Sequence, residues 1–175
     1  MRRSRGMGMG AGVVVAILGV GLLGLMFWRA GGAYLRFRGK RVVACPETRR
    51  PAGVEVAAGR AAWTAVFRAP ALRLSDCSRW PERGPCGQAC LTQIEAAPEE
   101  CLVRTILTKW YREKSCICCG RPMGEINWMQ HKPCIMSPDL RICEWKDVQA
   151  EEIPQVLETH RPVCWNCLVA ETHTW

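Results

Sequence analysis

Cys116-Ile117-Cys118-Cys119-Gly120 and Cys164-Trp165-Asn166-Cys167 decide how the C-terminal part of this chain is built. A Cys-x-x-Cys turn aims two thiolates at one point. A glycine directly after the second cysteine, here Gly120, permits the tight backbone that donates N–H groups to sulfur. Two such turns supply four sulfurs, enough to close a tetrahedral site with metal–sulfur distances of about 2.3 Å. The spacer of 44 residues between them must contain secondary structure of its own. The spacing therefore predicts Cys116, Cys119, Cys164 and Cys167 as ligands of one metal ion, zinc first and iron as the alternative, since ligand type alone does not separate the two. Disulfides or free thiols compete if this part of the chain is exported. A thioredoxin-type redox pair wants a βαβ context that is not visible here. Haem attachment needs histidine after the second cysteine, where Gly120 and Leu168 stand.

The two knuckles resemble those of zinc ribbons and rubredoxins over roughly the last 60 residues. The resemblance implies a zinc-ribbon-like domain at 113–175 with those four cysteines as ligands, and the long spacer is its departure from the usual ribbon. Cys-Pro-Glu-Thr from Cys45, Cys-Ser-Arg-Trp-Pro-Glu from Cys77, Cys-Gly-Gln-x-Cys from Cys86 and the closing Cys-Trp-Asn-Cys are together similar to small membrane-anchored bacterial cysteine-rich proteins. That similarity implies an anchor joined to a cysteine domain and supplies no activity.

Twelve cysteines in 175 residues leave a second group to explain. Cys45, Cys77, Cys86 and Cys90 are candidates for a second metal site, against the equal alternative that some are small buried hydrophobes. Cys86 and Cys90 are four apart and would share a face on a helix. Cys101, Cys118, Cys134 and Cys143 have no assigned role. His131, His160 and His173 read as surface or core residues rather than ligands.

The N-terminal end reads differently. Gly6 to Trp28 carries no charge, and its apolar mass predicts a membrane-spanning helix at 10–28. A basic tail (1–9) precedes it and a basic juxtamembrane linker (29–39) follows. The competing reading is a cleaved signal peptide, opposed by the length of the run and by Phe27-Trp28-Arg29 where small residues belong. Gly8, Gly12 and Ala16 form a small-residue stripe suited to a partner helix. Arg29, Arg36, Arg38, Lys40, Arg41, Arg49 and Arg50 follow the span, which favours a cytoplasmic body at a bacterial inner membrane and contact with anionic lipid headgroups. Residues 1–50 hold ten basic side chains and one acidic, while the remainder holds fourteen and fifteen. A nucleic-acid-binding body would carry its basic face on the folded part, so that class is excluded as an expectation.

In the soluble region the pattern predicts an α+β subdomain at 40–112. It contains strands near Arg41–Ala44, Val54–Val56 and Leu72–Leu74, a helix around Trp63, and a helix starting at Pro98 with Glu99 and Glu100 in its first turn. Beyond Cys116, strands are expected at Ile126–Gln130, Cys134–Met136 and Arg141–Trp145, with a helix over Glu151–His160. The expected fold is thus a single N-terminal transmembrane helix plus a small α+β cysteine-rich region with a zinc-ribbon-like C-terminal domain. No phosphate loop, dinucleotide fingerprint or Gly-x-Ser-x-Gly elbow is present, so no catalytic residues are nominated. What remains is a non-catalytic accessory subunit of a larger membrane complex, respiratory or photosynthetic in type. The alternative is a membrane-anchored redox or electron-transfer protein using iron–thiolate or cycling cysteines. Eight tryptophans, Trp175 among them, suit interface anchors.

Overall fold

The computed structural model describes residues 7–82 and 86–172, with side-chain surroundings from Gly12 onward. The Arg2, Arg3, Arg5 tail, His173, Trp175 and the surroundings of Gly8 lie outside the described residues. The chain divides into two compact units: residues 1–38 with 57–73, and residues 39–56 with 74–175.

In the first unit, α1 (Met7–Phe37) is 31 residues long, about 46 Å at 1.5 Å per residue. The apolar segment Gly12–Phe37 is long and apolar enough to cross a membrane, and its window is unburied. The helix continues through the stretch expected to be a linker, because Ala30, Ala33 and Leu35 sustain helix propensity despite Gly31 and Gly32. There α2 (Ala58–Ala65) lies against it. Arg29 Nε donates to the Ala65 carbonyl at 2.9 Å, and Ala33, Ala58, Ala61 and Ala65 are buried. Trp63 and Phe67 pack edge to face and remain exposed.

The second unit holds two small antiparallel sheets. The first has the order β1 (Lys40–Ala44), β2 (Pro51–Val56), β3 (Leu74–Cys77), with Val42 opposite Gly53 and Val54 opposite Cys77. Alternation holds on β1, where Arg41 and Val43 point inward. Arg41 is fully buried, the one charged side chain so placed among the described residues, and it donates to the Gly39 carbonyl at 2.9 Å. Burial lowers its pKa, and the charges of Glu99 and Cys101 oppose that shift.

After α3 (Leu91–Ala96) comes α4 (Val103–Arg112). The helix does not begin at Pro98. Residues 98–101 form turns, and Leu102 is extended because it bridges to Arg41 while the Val42 amide bonds the Cys101 carbonyl at 2.8 Å. Glu99 and Glu100 therefore precede α4 and cap nothing in it. The inward face of α4 is as patterned: Leu107 and Tyr111 are buried and Trp110 packs beside them.

The second sheet has the order β5 (Ile142–Cys143), β4 (Cys134–Met136), β6 (Arg161–Val163). Ile126–Gln130 forms no strand. Its backbone turns at 128–130, where the Asn127 side chain accepts the Met129 and Gln130 amides. Trp145 begins a 3₁₀ turn rather than ending β5, and a second 3₁₀ turn, Ala150–Glu152, leads into α5 (Ile153–Thr159) through a capping box of Gln149 and Glu152. The chain ends its described course in α6 (Trp165–Thr172).

Tyr111, Ile135 and Val156 form the centre of one apolar cluster, with Trp110, Trp128 and Trp145 around them. These three tryptophans are partly buried and pack against that cluster. Tyr111 Oη donates to the Cys134 carbonyl at 2.6 Å and accepts from Trp145 Nε1 at 2.9 Å. Gly53 lets the Ala150–Glu152 turn press on β2: a Cβ there would sit 2.8 Å from Ala150 Cβ.

Tyr111→Phe leaves the Cys134 carbonyl and the Trp145 indole without their partner. It should cost about 1–3 kcal/mol in chemical denaturation. Gly53→Ala should cost about the same through overpacking against Ala150, with a lowered melting temperature as the readout.

Candidate metal centre

The first knuckle is a short hairpin. Ser115 bridges Pro122, the Cys116 amide bonds the Arg121 carbonyl and the Gly120 amide bonds the Cys116 carbonyl, both at 2.8 Å. Gly120 has φ +71°, the left-handed conformation that glycine adopts without a Cβ penalty. The second knuckle starts at the end of β6 and forms the first turn of α6, where the Cys167 and Leu168 amides bond the Cys164 carbonyl. The Ile117 amide donates to the Pro162 carbonyl at 2.9 Å and the Cys164 amide to Cys116 Sγ at 3.3 Å, so backbone bonds join the two turns directly.

The four thiols converge. Cys116 Sγ is 3.8 Å from Cys167 Sγ, Cys119 Sγ is 3.7 Å from Cys164 Sγ, and all four sulfurs lie within 4.8 Å of one another. A regular tetrahedron with metal–sulfur bonds of about 2.3 Å has sulfur–sulfur edges of about 3.8 Å. The arrangement is therefore close enough to bind a single metal ion, and its edge length matches that ion's sphere. Beneath it lies an apolar floor of Cys134, Val163, Met136, Ile142 and Leu168.

Burial opposes ionisation of Cys116, but amides of Cys164, Cys119 and Cys118 aimed at its sulfur outweigh that and bring its pKa down to about 6. Cys164 and Cys167 are pushed the other way, by burial first and then by the neighbouring sulfurs. One thiolate is thus favoured, and further ones are disfavoured while no cation offsets their charge. A divalent ion reverses that balance, which makes binding and proton release one event.

The other nominated cysteines are placed differently. Cys45, Cys77, Cys86 and Cys90 all line one cavity of about 40 Å³, without the close convergence of the first set. Cys86 lies in a loop and only Cys90 abuts α3, so the two share no helix face. Cys101 Sγ approaches the Gln93 carbonyl at 3.9 Å. Cys118 is exposed, Cys143 is half-buried, and Cys134 is buried, with burial raising its pKa to about 11. His131 stacks edge-on against Trp165 and His160 pairs with Thr159; neither belongs to the four-sulfur set. The bonds that dock one knuckle on the other come from β6, a strand that the expectations omitted. Its only sequence signal is Pro162-Val163 just ahead of Cys164.

Family models, curated proteins and solved structures were compared with the chain, and none matches. The geometry alone carries the reading of this centre.

Replacing Cys119 with Ser removes one corner of the tetrahedron. Structural zinc supplies on the order of 10 kcal/mol to zinc-finger peptides, so the variant should lose its metal and the 113–172 region should unfold at a lower temperature. Elemental analysis and thermal unfolding check this, and full occupancy with unchanged stability would sink the assignment.

Proposed function

We propose that the chain is a non-catalytic, membrane-anchored accessory subunit of a larger membrane protein complex, its body held in shape by one zinc ion at Cys116, Cys119, Cys164 and Cys167. The observation that carries this reading is the closure of the site. Four sulfurs at tetrahedral spacing fill the coordination sphere of zinc and leave no position for water or substrate, as a catalytic zinc would require. The paired knuckles beside a three-stranded antiparallel sheet support a zinc-ribbon-like fold for this region.

Several features of the first unit support the anchor. Val13, Val14, Ile17, Leu18, Leu22, Leu23 and Leu25 are exposed on α1, a surface that suits lipid and not water. Arg29 is the first charge after the apolar run, and its bond to the Ala65 carbonyl holds α2 beside that end of the run, which suits a headgroup region there. Trp28, Trp63 and Phe67, all exposed, then fit an interfacial aromatic belt. Nothing lies near Gly12 and Ala16 is exposed, so a partner helix has access to that face. A cytoplasmic body at the bacterial inner membrane suits the thiols, which persist where the compartment is reducing. Of the basic residues that argue for this side, Arg41 is fully buried and Arg29 donates to the Ala65 carbonyl.

Purification of the full chain in mild detergent tests the reading. The expected outcome is a colourless zinc-containing species that co-purifies with other membrane subunits. A visible iron–thiolate spectrum would instead support a membrane-anchored electron-transfer protein. A lone species of about one or two protomers would defeat the subunit proposal.

A further inference from the structure

Cys45, Cys77, Cys86 and Cys90 come from three separate stretches of chain, and the fold brings them to the wall of one cavity. Cys45 opens the turn after β1, where its amide bonds the Arg50 carbonyl at 2.9 Å. Cys77 ends β3. Cys86 and Cys90 lie in the segment that leads into α3. Two glutamines hold that segment in place. Gln88 Oε1 accepts the Leu74 amide at 2.9 Å, tying the loop to the start of β3. Gln93 clamps Ala44, the residue before Cys45: its Oε1 accepts the Ala44 amide at 3.0 Å and its Nε2 donates to the Ala44 carbonyl at 2.7 Å. The positions of all four cysteines are therefore set by backbone and amide bonds that involve no sulfur.

The cavity has the size and chemistry of a single-ion site. At about 40 Å³ it holds one ion or one water. Val43, Ala52 and Leu74 supply an apolar wall. Arg79 lines it too. The Nε of Arg79 is buried and has no hydrogen-bond partner among the described residues, although the head of the same side chain reaches Glu82 and the Pro51 carbonyl. An N–H donor and a positive charge at that place complement a centre of four thiolates and one dication, whose net charge is −2.

We propose that Cys45, Cys77, Cys86 and Cys90 form a second metal-thiolate site, which takes one thiophilic divalent cation of the zinc class with Arg79 as its outer-sphere donor. The sulfurs ring the cavity and do not yet converge. Each cysteine turns about a single torsion with three staggered positions, so its sulfur can turn toward the shared cavity without a change of topology. Binding exchanges four S–H bonds for four metal–sulfur bonds and releases four protons to solvent, with no change of oxidation state. The inference is independent of the first centre, which shares none of these residues.

The test uses the full chain in mild detergent, loaded with zinc under reducing conditions, and its variants Cys86→Ser and Cys119→Ser. Cys86 is half-buried in a loop, so its replacement spares the core. The expected zinc content is about two ions per chain for the parent and about one for either variant. Peptide-mapped alkylation should find Cys45, Cys77 and Cys90 protected in Cys119→Ser and reactive in Cys86→Ser, with the Cys116 set showing the opposite pattern. Cobalt(II) in place of zinc should give tetrahedral thiolate bands that saturate near two equivalents. One ion per chain in the parent with Cys45, Cys77, Cys86 and Cys90 readily alkylated, or disulfides among these four in protein purified without reductant, would overturn the proposal. Loss of the Cys116 set alone would leave it standing.

Discussion

Four thiols converging on one point are the constraint on which the second unit depends. Thiolates separated by 3.7–3.8 Å repel strongly unless a dication sits among them. Amide donors from Cys118, Cys119 and Cys164 ease the cost for Cys116 alone. With the ion in place the same four groups attract, and the two knuckles become a single cross-link. Val163, Cys134 and Leu168 pack directly under that link, and Cys134 leads into β4, whose carbonyl holds Tyr111 and, through it, Trp145. The four-cysteine cluster and the aromatic core are therefore one connected system, with the Cys134 carbonyl as the joint.

The parts of this architecture that were legible in sequence are those set by local chemistry. Knuckle geometry follows from Cys-x-x-Cys and from a glycine in the left-handed region, and both stand at Cys116–Gly120. The apolar run at the N-terminal end forms a helix because nothing interrupts it. The inward face of α4 follows from its period. What escaped is long-range. Leu102 looks like a helical residue until Arg41, 61 positions earlier, draws it into a bridge. Ile126–Gln130 has strand-like residues, but Asn127 turns the backbone on itself. The tryptophans invite an interface reading by composition, and the packing of Trp110, Trp128 and Trp145 against Tyr111, Ile135 and Val156 is visible only once α4, β4 and α5 are assembled.

Arg41 shows how the same limit bears on charge. In sequence it is one of a row of cations after the apolar helix, and any count of flanking charge includes it. In the fold it is fully buried. Burying a guanidinium costs hydration that its surroundings must offset, and here the Gly39 carbonyl and the field of Glu99 offset it in part, burial remaining the larger effect. Topology arguments that count every arginine equally thus overstate the basic flank, since a charge used for packing cannot also face a membrane.

The separation of the two knuckles has a consequence for the order in which the protein takes shape. An ion held by the four sulfurs would close a loop from residue 116 to 167, and closing a loop of that length removes about 4 kcal/mol of chain entropy from the unfolded state. Such a closure is non-local and therefore slow compared with helix or hairpin formation. During synthesis the first half of the site exists as a three-cysteine turn well before its counterpart emerges. Cys116 and Cys119 therefore wait through the 44-residue spacer for their counterparts, and β6, the strand that docks the second knuckle on the first, emerges directly before Cys164.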